Sequence, residues 1–232
     1  MGAGEPRCPN YRFFLMKLAR QLERKLEDAV DGLAGRIFRR GLAIPELAAR
    51  LAREAELSEF RSAAGPATAN HFRLLLNPVN LAGDTENVEV DLAKTLSDHA
   101  ADRGWRLEGP VKVHIEASPV VGPGSISCET AVVPGPLQPW GQLTGAGGHL
   151  DIRHNRAILG RAPESDLVVN APEVSRRHAL VYRHDGEVYV RDLESANGTT
   201  VDGRAVRRTP AHLQQGSMLT VAGLEFRSTL SP

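Results

Sequence analysis

The texture of this sequence changes once, near residue 150. Before the change, apolar residues recur at helical spacing over long stretches. After it, short apolar runs (AILG, DLVV, HALVY, EVYVRDL, TTVDG, SMLTVAG and LEFRST) are punctuated every several residues by Gly, Asn, Pro or Asp. Helical periodicity favours one kind of layer and short alternating runs another. The stretch between them, VVPGPLQPWGQLTGAGGHLD, is dense in Pro and Gly and has no apolar period. The sequence therefore predicts two domains: an α+β domain over residues 10–131 and an all-β sandwich over 150–232. Residues 132–149 are expected to be a Pro/Gly-rich linker, short enough to keep the domains close without fixing them rigidly.

In the first domain, Leu15, Leu18, Leu22, Leu26, Ala29, Leu33 and Ile37 mark one face of a helix over 13–38. Arg20, Glu23, Arg24, Glu27 and Asp28 line the other face, and Gly41 is the expected C-terminal cap. Pro45 then suits the first turn of a second helix, PELAARLAREAE. Residues 58–69 are small and polar and read as a loop. A strand is expected at HFRLLLN, ended by Asn77-Pro78, and a third helix over about 87–103, ended by Gly104. VKVHIEA alternates apolar and polar residues, as a half-buried strand does, and a further strand is expected over 125–132.

Bulk properties narrow the function. The formal net charge is zero, which gives no global case for a nucleic-acid partner. The two cysteines, Cys8 and Cys128, lie too far apart in sequence to suggest a disulfide framework, and they suit a reducing compartment. No signal peptide or membrane-spanning stretch is read, because Lys17, Arg20 and Glu23 interrupt the first apolar run. The expected location is cytoplasmic, with membrane recruitment only through a partner. No phosphate-binding Gly-Lys-Ser/Thr loop or Gly-X-Ser-X-Gly elbow occurs, and the eight histidines lack paired metal spacing. The sequence therefore predicts no enzyme, no metal and no cofactor.

Four signatures follow one another in the β domain: LGRAPESDLVV, VSRRHALV, DLESANGTTVDG and the Gly-Ser-Met turn before TVAGLEF. Together they resemble the forkhead-associated (FHA) family, over about residues 150–229. The resemblance implies an FHA/SMAD-like β-sandwich whose loops hold a phosphothreonine of a partner protein. It maps Arg161, Ser175 and Asn197 onto peptide-contacting positions. The chemistry of these three side chains suits a phosphopeptide. A guanidinium donates paired charge-assisted hydrogen bonds to phosphate, a hydroxyl adds a donor, and an amide can fix the peptide main chain. Arg176 adds positive charge beside Ser175, whereas Arg177 reads as a solvated charge. Gly160, His178 and Gly198 are expected to be architectural, and Ser195 and Thr199 to brace the turn. Ala196 departs from the family pattern, which often has threonine or serine there. One phosphate-binding hydroxyl is thereby lost, leaving Arg176 or a backbone N–H to compensate.

The first half, from RQLERKLEDAVDGLAGRIFRRGLAIPELAARLAREAE to LAKTLSDHAADRGWRLEGPVKVHIEASP, is similar to the N-terminal domain of actinobacterial FhaA-type proteins. That family implies an adaptor in Ser/Thr-kinase signalling, connected to cell-envelope synthesis and division. The partners implied are threonine-phosphorylated proteins, a Ser/Thr kinase or its substrate. The competing reading is a phosphorylation-responsive transcription regulator. In it, GLAIPELAARLAREAE opens a helix-turn-helix behind Arg36, Arg39 and Arg40. The segment after it, LSEFRSAAGPATAN, is a poor recognition helix.

Overall fold

The structure is a computed structural model and describes residues 43–145, 148–207 and 209–231. The expected helix over 13–38 and its Gly41 cap lie outside the described residues. In chain order, α1 (Ile44–Leu57) precedes a hairpin of β1 (Phe60–Ser62) and β2 (Gly65–Ala67). Next come β3 (His71–Leu76), α2 (Glu86–Asp102), β4 (Lys112–Ala117) and β5 (Ile126–Ala131). The chain divides into two compact units. Among the described residues, one comprises the chain up to Leu57 with His71–Leu96 and Lys112–Ala131; the other comprises Ser58–Asn70, Ser97–Val111 and the chain from Val132 onward.

The first unit is α+β. α1 buries Ile44, Leu47, Ala48, Leu51, Ala52 and Ala55, which recur three and four residues apart and form one stripe. The strand order is β4-β3-β5, with β3 parallel to β4 and antiparallel to β5. A parallel pair needs a crossover, and the chain between β3 and β4 runs through α2. Phe72, Leu74 and Leu76 are buried on one face of β3, while Arg73 on the other face pairs with Glu116 and Glu129. Val113 and Ile115 are buried on β4, and Lys112, His114 and Glu116 are exposed, as the alternation predicts.

The second unit contains a β-sandwich. Its strands are β6 (Gly141–Gly145), β7 (Gly148–Ile152), β8 (Arg156–Gly160), β9 (Leu167–Val168), β10 (Ala179–His184) and β11 (Glu187–Asp192). They continue with β12 (Thr199–Val201), β13 (Arg204–Val206), β14 (Ala211–His212), β15 (Met218–Val221) and β16 (Leu224–Leu230). The five-stranded sheet runs β14-β11-β10-β8-β9 and the six-stranded sheet β13-β12-β15-β16-β6-β7. Leu159 and Val181 of the first sheet share one core with Leu143, Ile152, Leu219 and Phe226 of the second.

Two expectations about connecting chain are corrected. Residues 58–69 are not a bare loop: they carry the β1–β2 hairpin, in register from Phe60↔Ala67 to Ser62↔Gly65. Small residues concealed it, because strands this short show no apolar alternation. A hairpin in this position also leaves α1 without the recognition helix that a helix-turn-helix requires. Nor are residues 132–149 a loose linker. β6 lies within them and pairs with β16 on one side and β7 on the other. Upstream of β6, the buried Asn70 side chain receives the Val133 N–H at 2.8 Å and donates to the Val133 and Pro110 carbonyls. Gly135 N–H donates to the Glu108 carbonyl at 3.0 Å. Pro and Gly deny this stretch a periodic pattern, but partners distant in sequence satisfy its backbone.

Two segments from the N-terminal half thus belong to the sandwich unit. Ala64, at the tip of the β1–β2 hairpin, is buried against Ile158 and Leu180, with Tyr182 and Leu193 packed alongside. Arg106 donates to both Asp166 carboxylate oxygens at 2.9 Å and to the Arg156 carbonyl at 2.7 Å. No helix among the described residues is long and apolar enough to cross a membrane.

Candidate phosphopeptide site

Three stretches of loop meet at one end of the sandwich, and backbone approach brings the first two together. β8 ends at Gly160, and Arg161 N–H donates to the Ser175 carbonyl at 3.1 Å. Ala162 N–H donates to the Arg176 carbonyl at 3.2 Å. A Cβ on Gly160 would fall 2.1 Å from that Arg176 oxygen. Glycine is therefore required here for close packing, so that the loop carrying Ser175 and Arg176 can lie across the end of β8. The Gly-Arg pair acts as a unit, with the first residue making room and the second extending beyond it.

His178 is fully buried and joins the second stretch to the third. Its Nδ1 accepts the Ser175 N–H at 3.2 Å, so Nε2 carries the proton and donates to the Gly198 carbonyl at 3.0 Å. Gly198 has φ +78°, a conformation that orients this carbonyl at little cost in a residue without a Cβ. Ser175 Oγ accepts the Ala196 N–H at 3.1 Å. Asn197 Nδ2 donates to the Glu173 carbonyl at 2.8 Å. The 173–178 and 195–198 stretches are thus stitched together three times.

The third stretch is organised by Asp192, which opens the DLESANGTTVDG signature but carries no assigned role in the sequence reading. Its carboxylate accepts the Ser195 N–H at 2.9 Å, the Ser195 hydroxyl at 2.7 Å and the Thr199 hydroxyl. Ser195 Oγ in turn accepts the Gly198 N–H at 3.0 Å. Burial disfavours the ionised carboxylate, but the bonds from Thr199 and Ser195 outweigh it and hold the Asp192 carboxyl below its ordinary value. The signal was present in DLES, since an Asp three residues before a Ser is a common side-chain-to-backbone loop brace.

These bonds leave specific groups facing solvent. Arg161 and Arg176 are exposed, and among the described residues neither guanidinium makes a hydrogen bond or ion pair. Ser175 uses a lone pair toward Ala196, so its O–H remains a donor. Asn197 uses its amide NH₂ toward Glu173, which leaves its carbonyl oxygen as an acceptor. Ala196 cannot offer its own N–H in place of the missing hydroxyl, because Ser175 already holds it. Arg177 is not simply solvated: it donates to the Ala63 carbonyl at 2.6 Å. Two guanidinium groups, a hydroxyl donor and an amide acceptor make a surface suited to a phosphorylated peptide rather than a neutral one. Among the described residues, no cluster of His, Cys, Asp and Glu could hold a metal ion.

Comparisons with known proteins match both halves of the chain. Residues 157–222 match the family model of the FHA domain, and residues 19–129 match that of the FhaA N-terminal domain. The FHA domain-containing protein FhaB of Mycobacterium tuberculosis is 40% identical over 62 residues, 27% of this chain and 39% of that protein. An Arabidopsis thaliana homolog of the protein phosphatase 1 regulatory inhibitor subunit PPP1R8 is 43% identical over 77 residues, covering 32% of this chain and 20% of that protein. The chain therefore spans well under two thirds of these relatives. A solved structure, the FhaA FHA domain complexed with the intracellular domain of Rv3910, shares 27% identity. The match covers 38% of this chain and 96% of that one, with a TM-score of 0.34. The C-terminal sandwich is an FHA domain, the class of module that recognises phosphothreonine. With the match to the FhaA N-terminal domain ahead of it, the chain has the domain order of FhaA-type proteins.

Proposed function

We propose that this chain is an adaptor that binds threonine-phosphorylated proteins through Arg161, Ser175, Arg176 and Asn197. The observation that carries this reading is the division of labour at the sandwich end. His178, Ser195, Gly198, Thr199 and Asp192 are consumed in bracing the loops, while two guanidiniums, one hydroxyl and one amide oxygen are left facing outward. Arg161 and Arg176 supply the phosphate contacts, Ser175 donates to a phosphate oxygen, and Asn197 accepts a peptide main-chain N–H. The reading extends to Ser/Thr-kinase signalling linked to cell-envelope synthesis or division, supported by the match to the FhaA N-terminal domain. A phosphorylated partner that is itself held at a membrane would bring this chain to the membrane surface. The test is titration calorimetry of the full chain with a phosphothreonine peptide and its unphosphorylated form. Binding should require the phosphate. Arg161→Ala should cost about 1.5 to 3 kcal/mol, the range for a hydrogen bond to a charged group.

A further inference from the structure

The hairpin from the N-terminal half lies against the sheet whose strands lead into the phosphopeptide loops. Ala63 and Ala64 form its tip, between Ser62 and Gly65, which are paired across the hairpin. Ser62 Oγ holds the tip in shape by accepting the Ala64 N–H at 3.2 Å and donating to the Gly65 carbonyl at 2.8 Å. Ala64 is buried on Ile158 and Leu180. Its carbonyl receives Arg156 Nε at 2.7 Å, from the first residue of β8. The neighbouring Ala63 carbonyl receives Arg177, which stands between Arg176 and the buried His178. Leu193 packs on the same cluster, and its N–H donates to the His178 carbonyl at 2.9 Å. The hairpin tip therefore reaches the second of the three stretches through Arg177 and borders the third through Leu193, two residues before Ser195.

We infer that the β1–β2 hairpin is a working part of the phosphopeptide site, with Arg177 as the positioning residue that anchors the Ser175–His178 loop to the Ala63 carbonyl. The binding unit is then discontinuous in sequence. Whatever engages or displaces residues 58–70 changes phosphopeptide affinity without touching the phosphate. This inference rests on the function proposed above, but the geometry of the loop can be tested without a ligand.

The experiment uses the full chain and four variants: Arg177→Ala, Ala64→Asn, Ser62→Ala and the double Arg177→Ala/Ala64→Asn. Asn at position 64 places an unpartnered amide on the apolar seat and unseats the tip without changing charge. Ser62→Ala is a milder variant for the case where Ala64→Asn does not fold. Affinity is measured with a phosphothreonine peptide selected from a degenerate library on the wild type, and amide exchange of His178 and Leu193 is followed without peptide. Each single variant should weaken binding by about threefold to tenfold, the scale of one hydrogen bond. The double should be no weaker than the worse single, because both changes break the same link. Exchange at His178 and Leu193 should accelerate in every variant. Loss of affinity in Arg177→Ala alone, with both hairpin variants binding as wild type, would mean that Arg177 acts only as a charge and would overturn the inference. So would multiplicative effects in the double, or unchanged exchange. Failure to select any phosphothreonine peptide would sink the proposed function, while the exchange rates would still decide whether the hairpin holds the loop.

Discussion

Ser175 Oγ accepts the main-chain N–H of Ala196 at 3.1 Å, so the side chain proposed as a phosphate donor also ties two loops of the site together. Ser175→Ala removes both roles. It orphans the Ala196 N–H as well as deleting the proposed phosphate donor. Phosphopeptide affinity should fall by about tenfold or more, beyond the effect of a single neutral hydrogen bond. Calorimetry reads the affinity, and faster amide exchange at Ala196 in the unliganded protein reports the second role. Unchanged exchange would leave Ser175 as a ligand contact only.

Gly160→Ala tests the close approach at the end of β8. The added Cβ would meet the Arg176 carbonyl at 2.1 Å, and this obstacle is backbone, not the movable end of a side chain. The Ser175–Arg176 loop must shift away. A loss of about 1 to 3 kcal/mol is expected in denaturant unfolding, the usual scale of overpacking. Affinity should fall as well, although no ligand contact is removed. Wild-type stability in this variant would show that the loop yields freely.

What the sequence disclosed and what it concealed divide along physical lines. α1, β3, α2 and β4 were legible because each buries one face against a core, and that leaves a period in the sequence. The architectural roles of Gly160 and His178 were legible as motifs, since the close approach at one and the paired ring bonds of the other admit few alternatives. The β1–β2 hairpin and the ordered course of 132–145 were not legible. Beyond their strand pairing they are held by single long-range partners, Asn70 with Val133 and Arg156 with Ala64, which leave no periodic trace. Ser175 was legible as a donor alone, because its bond to Ala196 depends on how two separate loops are folded together.

Cys128 is half-buried, and its thiol is pushed up to about 12 by burial, with the Glu54 and Glu129 carboxylates adding to the effect and Arg50 partly opposing it. The thiolate is the reactive form, so alkylation near neutral pH should be roughly a thousandfold slower than for a free cysteine. Mass spectrometry of a Cys8→Ser protein treated with iodoacetamide isolates Cys128. Rapid labelling of the native protein would contradict the burial of this sulfur.

His99 is buried beside Trp105, with Arg103 nearby, and burial together with the Arg103 charge lowers its value to about 4. The folded protein therefore holds the ring neutral, whereas the unfolded chain protonates it near 6.5. Above that pH, both states are neutral and the full stability is present. As pH falls from about 6.5 to about 4, the unfolded state takes up the proton first and stability declines, by about 3 kcal/mol at most. The Asp192 carboxyl, also held low, adds a loss of the same sign at lower pH. Urea unfolding of wild type and His99→Gln across this range separates the two. A variant with the same decline between pH 6.5 and 4 would exonerate His99.

The final prediction is that the site prefers phosphothreonine to phosphoserine and that Ala196→Thr tightens both. The two phosphoresidues differ by one methyl group. The proposed contacts from Arg161, Arg176 and Ser175 go to the phosphate, which is identical in both, so they would not discriminate. Burying the methyl in the braced rim is worth about 0.8 kcal/mol. The methyl also stiffens the side chain and leaves less rotamer freedom to lose on binding. Ala196 is exposed and offers a small apolar surface at the rim, where a threonine would add a hydroxyl. Its N–H is already bonded to Ser175 in the wild type, and the substitution does not disturb that bond. The introduced hydroxyl would therefore add a donor to the phosphate instead of replacing one. Affinity for both peptides should rise by about threefold to tenfold, with the threonine preference kept. A paired calorimetric titration uses one peptide sequence carrying either phosphoresidue, on wild type and Ala196→Thr. Equal binding of the two peptides by wild type would refute the methyl contact. Unchanged affinity in Ala196→Thr would show that Arg161, Arg176 and Ser175 already saturate the phosphate oxygens.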